Sequence, residues 1–195
     1  MPRPSTQTDT SARILDIAER LMQTRGYNAF SYADIAQSLH ITKASLHYHF
    51  PTKAELGKRL IERYQQSFLQ ALVDIGKTSA DAGEKLRRYV GLYVGVLRND
   101  RMCLCGMLAA EYTTLPRPMK AELKRFFDEN ERWLVAVLEE GRAAKSLGFA
   151  GPARGMAQFL VGSLEGAMML ARSYDDVARF EATVEMLLAG LGAAK

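Results

Sequence analysis

The chain has 195 residues, of which 48% are hydrophobic and 25% are charged, and its formal net charge is +4 at neutral pH. This balance excludes wholesale disorder, and the length allows one or two domains with a buried core. Two cysteines spaced as Cys103-x-Cys105 exclude a disulfide-stapled secreted scaffold. No run approaches the ~18 consecutive apolar residues of a membrane span, and no signal-peptide core follows the polar N-terminus. We therefore expect a reduced, cytoplasmic protein with no membrane partner.

The positive charge is concentrated at the N-terminal end. Residues 1–64 contain nine Lys or Arg, six Asp or Glu and all three histidines, whereas the remainder contains 17 basic and 16 acidic residues. Such a mild basic excess permits an anionic partner but does not require one.

The first helices of the chain can be located from their start and stop signals. Residues 1–10 have the composition of a flexible polar arm. Apolar residues then recur at helical spacing as far as Met22, and Gly26 suits a left-handed helix cap. Ser31 and Asp34 form a capping box for a second helix.

A third short helix and a longer fourth complete a compact helical module. Thr42 can cap the third helix, and Pro51 ends it because proline disfavours helical geometry in the preceding residue. Thr52 and Glu55 form a capping box for the fourth helix. One face of the fourth helix is apolar and carries Leu56, Leu60, Tyr64, Phe68 and Leu72.

The rest of the chain also predicts α-helices joined by short loops. Candidate helices cover residues 83–98, 103–114, 118–145, 152–173 and 175–191. Glycine and proline mark the loops between them. The predicted fold class is therefore all-α, with one domain at residues 8–64 and a second at residues 65–195.

Residues 31–50 have the layout of a helix-turn-helix unit, which presents its second helix to the major groove of DNA. The inner side of that helix holds Leu46 and Phe50 at i, i+4 spacing. Its outer side carries side chains that reach phosphates and base edges, namely Thr42, Lys43, Ser45, His47 and His49. Lys53 and the amides that begin the next helix would meet another phosphate. A solvated helix that merely carries polar residues is the alternative, and the modest local charge leaves both interpretations open.

His47 and His49 can also be considered as metal ligands. They are two residues apart and therefore point to different faces of a helix. We expect neither a metal nor a cofactor.

Residues 12–64 resemble the DNA-binding domain of the tetracycline-repressor (TetR) family of bacterial transcriptional regulators. The matching pieces are Ile14-Leu15-x-x-Ala18, Arg25-Gly26-Tyr27, Ser31-x-x-Asp34-Ile35-Ala36 and the stretch from Ile41 to Leu56, where the family's usual text is close to S-K-G-x-L-Y-x-H-F-x-S-K-x-x-L. The resemblance implies phosphate contacts for Thr42, Tyr48, His49 and Lys53, and base-edge contacts for Lys43, Ala44, Ser45 and His47. Ala44 replaces a common glycine and His47 a common tyrosine, so the operator preference of relatives does not carry over.

The resemblance also implies a homodimer on a palindromic operator in double-stranded DNA, since one half-site alone binds weakly. The last two helices are the candidate interface. The first of them is kept thin by Gly155, Ala157, Gly162, Gly166 and Ala167, and the second has an apolar face of Phe180, Val184, Leu187, Leu188 and Leu191. Packing inside the chain would use the same residues, and the sequence does not separate the two.

The segment between these regions would hold the effector pocket of a one-component regulator, so the second domain is expected to be a ligand-binding and dimerisation domain. Aromatic residues and methionines suit an adaptable apolar pocket, and they suit a plain helical core equally well. The effector candidates are Tyr93, Met107, Trp133 and Met168, together with Cys103.

Cys103 is either a reactive thiol or a buried apolar residue. It follows Arg101 near the start of a predicted helix, where helix amides and a cation favour the reactive thiolate. The pieces Cys103-Leu104, Leu108-x-Ala110-Glu111 and Glu140-Gly141-Arg142 resemble a TetR subgroup that includes the repressor of N-ethylmaleimide reductase. Members of that subgroup respond to reactive electrophiles and oxidants, and the resemblance carries over Cys103 alone.

The sequence thus predicts a sequence-specific DNA-binding transcriptional regulator, a repressor released by a small-molecule effector or by thiol modification with an electrophile or oxidant. It does not predict an enzyme. A helical thiol enzyme would need a base beside Cys103, and no histidine lies near that cysteine in the sequence. An interaction protein with degenerate DNA binding is the other alternative, because Ala44 and His47 depart from the family's pattern.

Overall fold

The computed structural model describes residues 5–192, and this range is built from α-helices. The helices are α1 (Ser5–Arg25), α2 (Tyr32–Leu39), α3 (Lys43–His49), α4 (Lys53–Thr78), α5 (Ala82–Leu97), α6 (Leu104–Ala110), α7 (Arg117–Ala143), α8 (Ala153–Ser173) and α9 (Val177–Ala189), with a short 3-10 helix at Tyr112–Thr114. The extended pairing in this range is an isolated bridge between Leu147 and Gly192. The all-α prediction is confirmed. Between residues 5 and 192, no helix is both long enough and apolar enough to cross a membrane.

The first helix boundaries follow the local signals. Gly26 adopts φ +85° just after α1. The Ser31 side chain accepts from the backbone of α2 while the Asp34 carboxylate accepts from the Ser31 N–H, which is the predicted capping box. The Thr42 hydroxyl accepts the Ser45 N–H at 3.2 Å and caps α3. Each of these contacts spans three residues or fewer, so each could be predicted from the sequence.

Two predicted boundaries are wrong. Helix α1 already begins at Ser5, so the flexible arm is wrong for residues 5–10, while residues 1–4 lie outside the described residues. Residues 5–10 contain neither glycine nor proline, and a helix nucleated by the apolar stripe can propagate back through them. The helix predicted at 103–114 instead breaks after Ala110, shortly before Pro116.

The described chain divides into two compact units. The first contains the residues up to Gln65 together with Leu104–Lys124, and the second contains Gln66–Cys103 and the residues from Arg125 onward.

The first unit packs α1, α2, α3 and the N-terminal half of α4 around one apolar core, with α6 against α1. The side chains fully buried in this core include Ile14, Met22, Ile35, Leu46, Leu56 and Leu60. Arg63 on α4 binds Asp16 at 2.8 Å and Glu19 at 2.6 Å, which ties α4 to α1. The inner side of α3 packs against this core, and its outer side is exposed to solvent.

The second unit packs α5 against α8 and α9. An ion pair also links α5 to α7, because the buried Lys85 donates to both carboxylate oxygens of Glu140, the shorter contact being 2.7 Å. Gly141 is required where α7 passes its neighbours: a Cβ there would lie 2.6 Å from Leu147 Cγ and 2.8 Å from Ala82 Cβ.

Candidate nucleic-acid interface and effector site

Helices α2 and α3 are joined by a tight turn. His40 takes the left-handed conformation (φ 54°), and the Ile41 N–H donates to the Ala36 carbonyl at 3.1 Å. Leu46 and Phe50 are buried, as the sequence predicted for the inner side of α3. The Tyr32 hydroxyl donates to the Phe50 carbonyl at 2.8 Å, which fixes the end of α3 against α2. Burial raises the pKa of Tyr32 to about 12, so this hydroxyl keeps its proton at neutral pH.

The outer face of α3 brings most of the predicted DNA contacts together. Thr42, Lys43, Ala44, His47 and Tyr48 are exposed, and Ser45 and His49 are partly exposed. Tyr48 is 72% exposed and meets the His49 ring edge-on, with 5.4 Å between ring centroids. An aromatic side chain this exposed at the end of a short helix is available to a partner surface.

His47 is held in one orientation. Its ring lies 4.8 Å from the Tyr32 ring, and its Nδ1 lies 3.1 Å from the Pro51 carbonyl oxygen. A carbonyl can only accept a hydrogen bond, so Nδ1 carries a hydrogen and donates it. In the neutral ring Nε2 is then the acceptor. The exposed edge of His47 can therefore accept from a donor group on another molecule.

A groove of about 370 Å³ runs beside this face. It lies between the start of α2 and the outer side of α3, and it is lined by Phe30, Ser31, Tyr32, Ala33, Lys43, His47 and Lys53. Two cationic side chains and a helix N-terminus thus border one opening, which suits an anion.

Lys53 is partly buried, unlike the exposed residues of α3. Its ammonium donates to the Tyr27 carbonyl at 2.5 Å and to the Phe30 carbonyl, and it lies over both rings at 4.6 and 4.3 Å from their centroids. Burial lowers its pKa, and the charges of Glu111 and Asp34 oppose that shift. An ammonium has three donors, so one is left for a phosphate. Lys53 therefore ties the start of α4 to the loop between α1 and α2, a role that its sequence position did not reveal.

Glu111 holds the same loop from the other side. Its carboxylate accepts the Tyr27 N–H at 2.5 Å and the Asn28 N–H at 3.3 Å. Gly26 permits this approach, because a Cβ there would lie 2.7 Å from Glu111 Oε1. The Asn28 side-chain amide also donates to the Thr114 hydroxyl at 2.8 Å. The sequence marked Glu111 only through a family resemblance, since its partners lie more than 80 residues away.

In the second unit, Tyr89, Tyr93 and Asn130 form a closed polar ring. The Tyr89 hydroxyl donates to Asn130 Oδ1 at 2.9 Å, and the two tyrosine oxygens are 3.0 Å apart. The Asn130 amide in turn donates to the Tyr93 oxygen at 3.3 Å. Trp133 stacks on Tyr89 with 5.6 Å between ring centroids, and Phe68 meets both tyrosines edge-on. Burial raises the pKa of both tyrosines.

Glu165 and Cys103 lie beside this ring. Both carboxylate oxygens of Glu165 are buried and make no hydrogen bond of regular geometry. Burial raises the pKa of Glu165 to about 7, and the neighbouring Cys103 thiol partly opposes the shift. Cys103 and Cys105 are both buried thiols. A carboxylate next to Cys103 would repel a thiolate, which is the opposite of the cationic surroundings expected from Arg101.

Only some of the five effector candidates therefore lie close together in the structure. Tyr93, Trp133 and Cys103 belong to one cluster, and the buried Met168 follows Glu165 by one turn of α8. Met107 belongs to the first unit instead. Sequence reasoning missed Glu165, although it is an acid placed among the buried Val161, Leu164 and Met168 at helical spacing. The signal in the sequence that could have identified Glu165 was an ionisable residue within an otherwise apolar helical stripe.

Helix α8 also has an exposed face. A Cβ added at Gly162 or Gly166 would meet no atom within 4 Å. The exposed residues that follow this face are Gly155, Phe159, Gly162, Gly166, Met169 and Leu170. Other residues expected at the interface pack inside the chain, where Ala157, Ala167, Phe180, Val184 and Leu191 are buried. Leu187 and Leu188 remain partly exposed, so the apolar face proposed for α9 is only partly used within the protomer.

Comparison with known families places two matches along the chain. The model described as bacterial regulatory proteins, tetR family, matches residues 14–60. The model described as tetracyclin repressor-like, C-terminal domain, matches residues 82–187. The first match spans the helix-turn-helix, and the second spans Tyr89, Trp133, Glu165 and α8.

Individual relatives agree with these matches. The HTH-type transcriptional repressor DhaR of Mycobacterium sp. (strain GP1) is 23% identical over 167 residues, which cover 84% of this chain and 82% of DhaR. A TetR-family transcriptional regulator from Agrobacterium tumefaciens has a crystal structure with a TM-score of 0.94 and 35% identity, covering 96% of this chain and 100% of that one. The reduced form of E. coli NemR has a TM-score of 0.83 at 22% identity, covering 96% of this chain and 100% of NemR, and shares the fold.

Proposed function

The chain belongs to the TetR family of bacterial regulatory proteins, and from that membership we propose a repressor that binds a palindromic operator as a homodimer and is released by a small-molecule effector. It is a DNA-binding transcriptional regulator. In this proposal residues 8–64 bind DNA, with the helix-turn-helix at 31–50, and residues 65–195 bind the effector and dimerise. Such a regulator acts on the bacterial chromosome, so its location is cytoplasmic.

The exposed outer face of α3 is the observation that carries the DNA-binding part. Lys43, Ala44, Ser45 and His47 are proposed to contact base edges, because they occupy the first turns of a helix that can enter the major groove. The proposed phosphate contacts are Thr42, Tyr48, His49 and the remaining donor of Lys53. The groove beside α3 gives a phosphate two lysines and the start of α2.

His47→Ala is expected to change which operator is preferred. In the neutral ring Nε2 is an acceptor, so it suits the exocyclic amino group of adenine or cytosine in the major groove. Losing such a contact is expected to cost about 1–3 kcal/mol of discrimination at one base pair. A binding selection on randomised operators, performed with wild type and variant, measures this. Equal losses on operator and random DNA would contradict a base-reading role for His47.

The exposed stripe of α8 is the proposed centre of the dimer interface. Its glycines leave room for close approach of a second helix, and Phe159, Met169 and Leu170 supply apolar surface. Symmetric dimerisation brings two copies of α3 to two half-sites, which a single short helix could not hold tightly. The effector then acts by favouring one of two spacings of the recognition helices.

A mobility-shift titration against DNA from beside the protein's own gene tests the proposed function. Specific binding that exceeds binding to random DNA and weakens with salt is the expected result. Absence of specific binding to that DNA and to any sequence recovered in a genome-wide selection would favour an interaction protein instead.

Modification of Cys103 by an electrophile is the second candidate for release, because the family resemblance carries this cysteine over. Cys103→Ser is expected to bind the operator as wild type does, since a buried serine replaces the thiol without altering α3. A quinone that releases wild type but not Cys103→Ser would establish the thiol route. A quinone that releases both equally would exclude it. Turnover of the quinone without DNA binding would favour a thiol enzyme.

A further inference from the structure

The second unit contains a buried acid, Glu165, that no side chain among the described residues neutralises. Both oxygens of Glu165 are out of contact with solvent and lack a hydrogen-bond partner of regular geometry. Burying an ionised carboxylate without a partner is costly, so such a group either keeps a proton or receives a cation. An unneutralised acid inside an apolar face is therefore a position where a ligand's charge would be stabilising.

The neighbouring tyrosines cannot satisfy this carboxylate. The hydrogen of the Tyr89 hydroxyl is used on Asn130, and the hydrogen of the Tyr93 hydroxyl is left to bridge the two tyrosine oxygens. The Asn130 amide donates to Tyr93. Both tyrosine hydrogens and one amide hydrogen are thus used within the ring, and the Cys103 thiol is a weak donor. What the site lacks is a strong, positively charged donor.

The surroundings favour an organic cation over a metal ion. A metal ion prefers several oxygen or nitrogen ligands, and Glu165 is a single acid beside Tyr89, Tyr93 and Cys103. Tyr89, Trp133 and Phe68 form a cluster whose ring faces attract cations and whose area suits an apolar stem. Trp133 and Phe68 are partly exposed, so the cluster reaches solvent.

We propose that the Glu165 carboxylate anchors an organic ammonium ligand, an alkylammonium or arylammonium whose stem packs against the aromatic cluster. This deepens the proposed function, since that ligand would be the effector. Glu165 must be ionised to bind a cation, and its pKa is raised to about 7. The titratable groups that face it are Tyr89 and Tyr93 from α5 and Cys103 from the segment before α6. Both tyrosines keep their protons at neutral pH, so the charge at this site follows Glu165.

The test measures binding to the full-length protein without DNA, by calorimetry and thermal shift. The probes are hexylammonium and benzylammonium, with hexan-1-ol and benzyl alcohol as neutral isosteres. We expect the ammonium ions to bind and the alcohols to bind more weakly. The ammonium affinity should rise about tenfold between about pH 6 and about pH 8, because the ionised fraction of Glu165 rises by that factor. Glu165→Gln should lose the ammonium preference, while Glu139→Gln, on the exposed side of α7, should keep it.

Several results would overturn the proposal: no binding of either ammonium ion, equal binding of ammonium and alcohol, or an unchanged ammonium preference in Glu165→Gln. The pH dependence of ammonium binding by the wild-type protein tests the proposal even if the variant does not fold. Operator binding without ligand is measured in parallel. If neither wild type nor Glu165→Gln bound specific DNA, the regulator assignment would fail, and the ammonium measurements would still decide the site.

Discussion

Glu165→Gln is expected to raise the free energy of unfolding above pH 7 by about 3 kcal/mol relative to wild type, and to leave it nearly unchanged below pH 4.5. The pKa of Glu165 is raised from 4.5 to about 7 by burial, so the folded state holds a proton that the unfolded state releases between these values. Stability therefore falls as pH rises from 4.5 to 7, and stays lower above it. Glutamine has nearly the same shape and no charge, so the variant lacks this loss.

Denaturant unfolding at a series of pH values measures this effect, at one protein concentration because the protein is proposed to dimerise. The quantity to compare is the difference between wild type and variant, since other acids titrate equally in both. Glu139→Gln removes an exposed acid from α7 and is the matched control, for which the difference should stay small at every pH. A wild-type-minus-variant difference that does not change between pH 4.5 and 7 would show that Glu165 keeps an ordinary pKa.

Gly162→Glu is expected to convert the proposed dimer to a monomer and to reduce operator affinity to the non-specific level, a loss on the order of 1,000-fold. Gly162 lies in the middle of the exposed α8 stripe, and a Cβ there meets no atom of its own chain within 4 Å. The substitution should therefore be tolerated within the protomer. Across a two-fold interface it would bury two like charges without partners, which is strongly unfavourable.

Sedimentation and operator titration on the same samples measure both consequences. Gly91→Glu is the matched control: Gly91 is also exposed, also lies within a helix, and also has open space at its Cβ position. It should remain dimeric and bind operator. A Gly162→Glu protein that stays dimeric with normal operator affinity would exclude the α8 stripe from the interface.

Much of the first unit could be predicted because its signals are local. The Ser31–Asp34 capping box, the Thr42 cap and the Gly26 turn depend on residues within a few positions of one another. The inward side of α3 follows from Leu46 and Phe50 at helical spacing. The outer face of α3 is then determined by exclusion, since the remaining side chains of a short amphipathic helix must point away from the core.

Helices α8 and α9 show what the hydrophobic pattern of the sequence cannot predict. Phe180, Val184 and Leu191 were candidates for a dimer interface, and they are buried inside the protomer. The exposed side of α8 carries Phe159 and Leu170 instead. An apolar stripe predicts that a helix face will be buried, but it does not predict whether the residues that bury it belong to the same chain or to another.

What the sequence by itself determined was the helical fold class, the first helix caps and the exposed surface of α3, because each depends on interactions between residues close in the chain. The tertiary structure decided the rest. Lys53 meets the carbonyls of Tyr27 and Phe30, more than 20 residues away, and Glu165 meets Cys103 across more than 60. A lysine or a glutamate occupies the same position in the sequence whether its charge is solvated or buried. Only the packing of residues distant in the chain determines which of the two occurs.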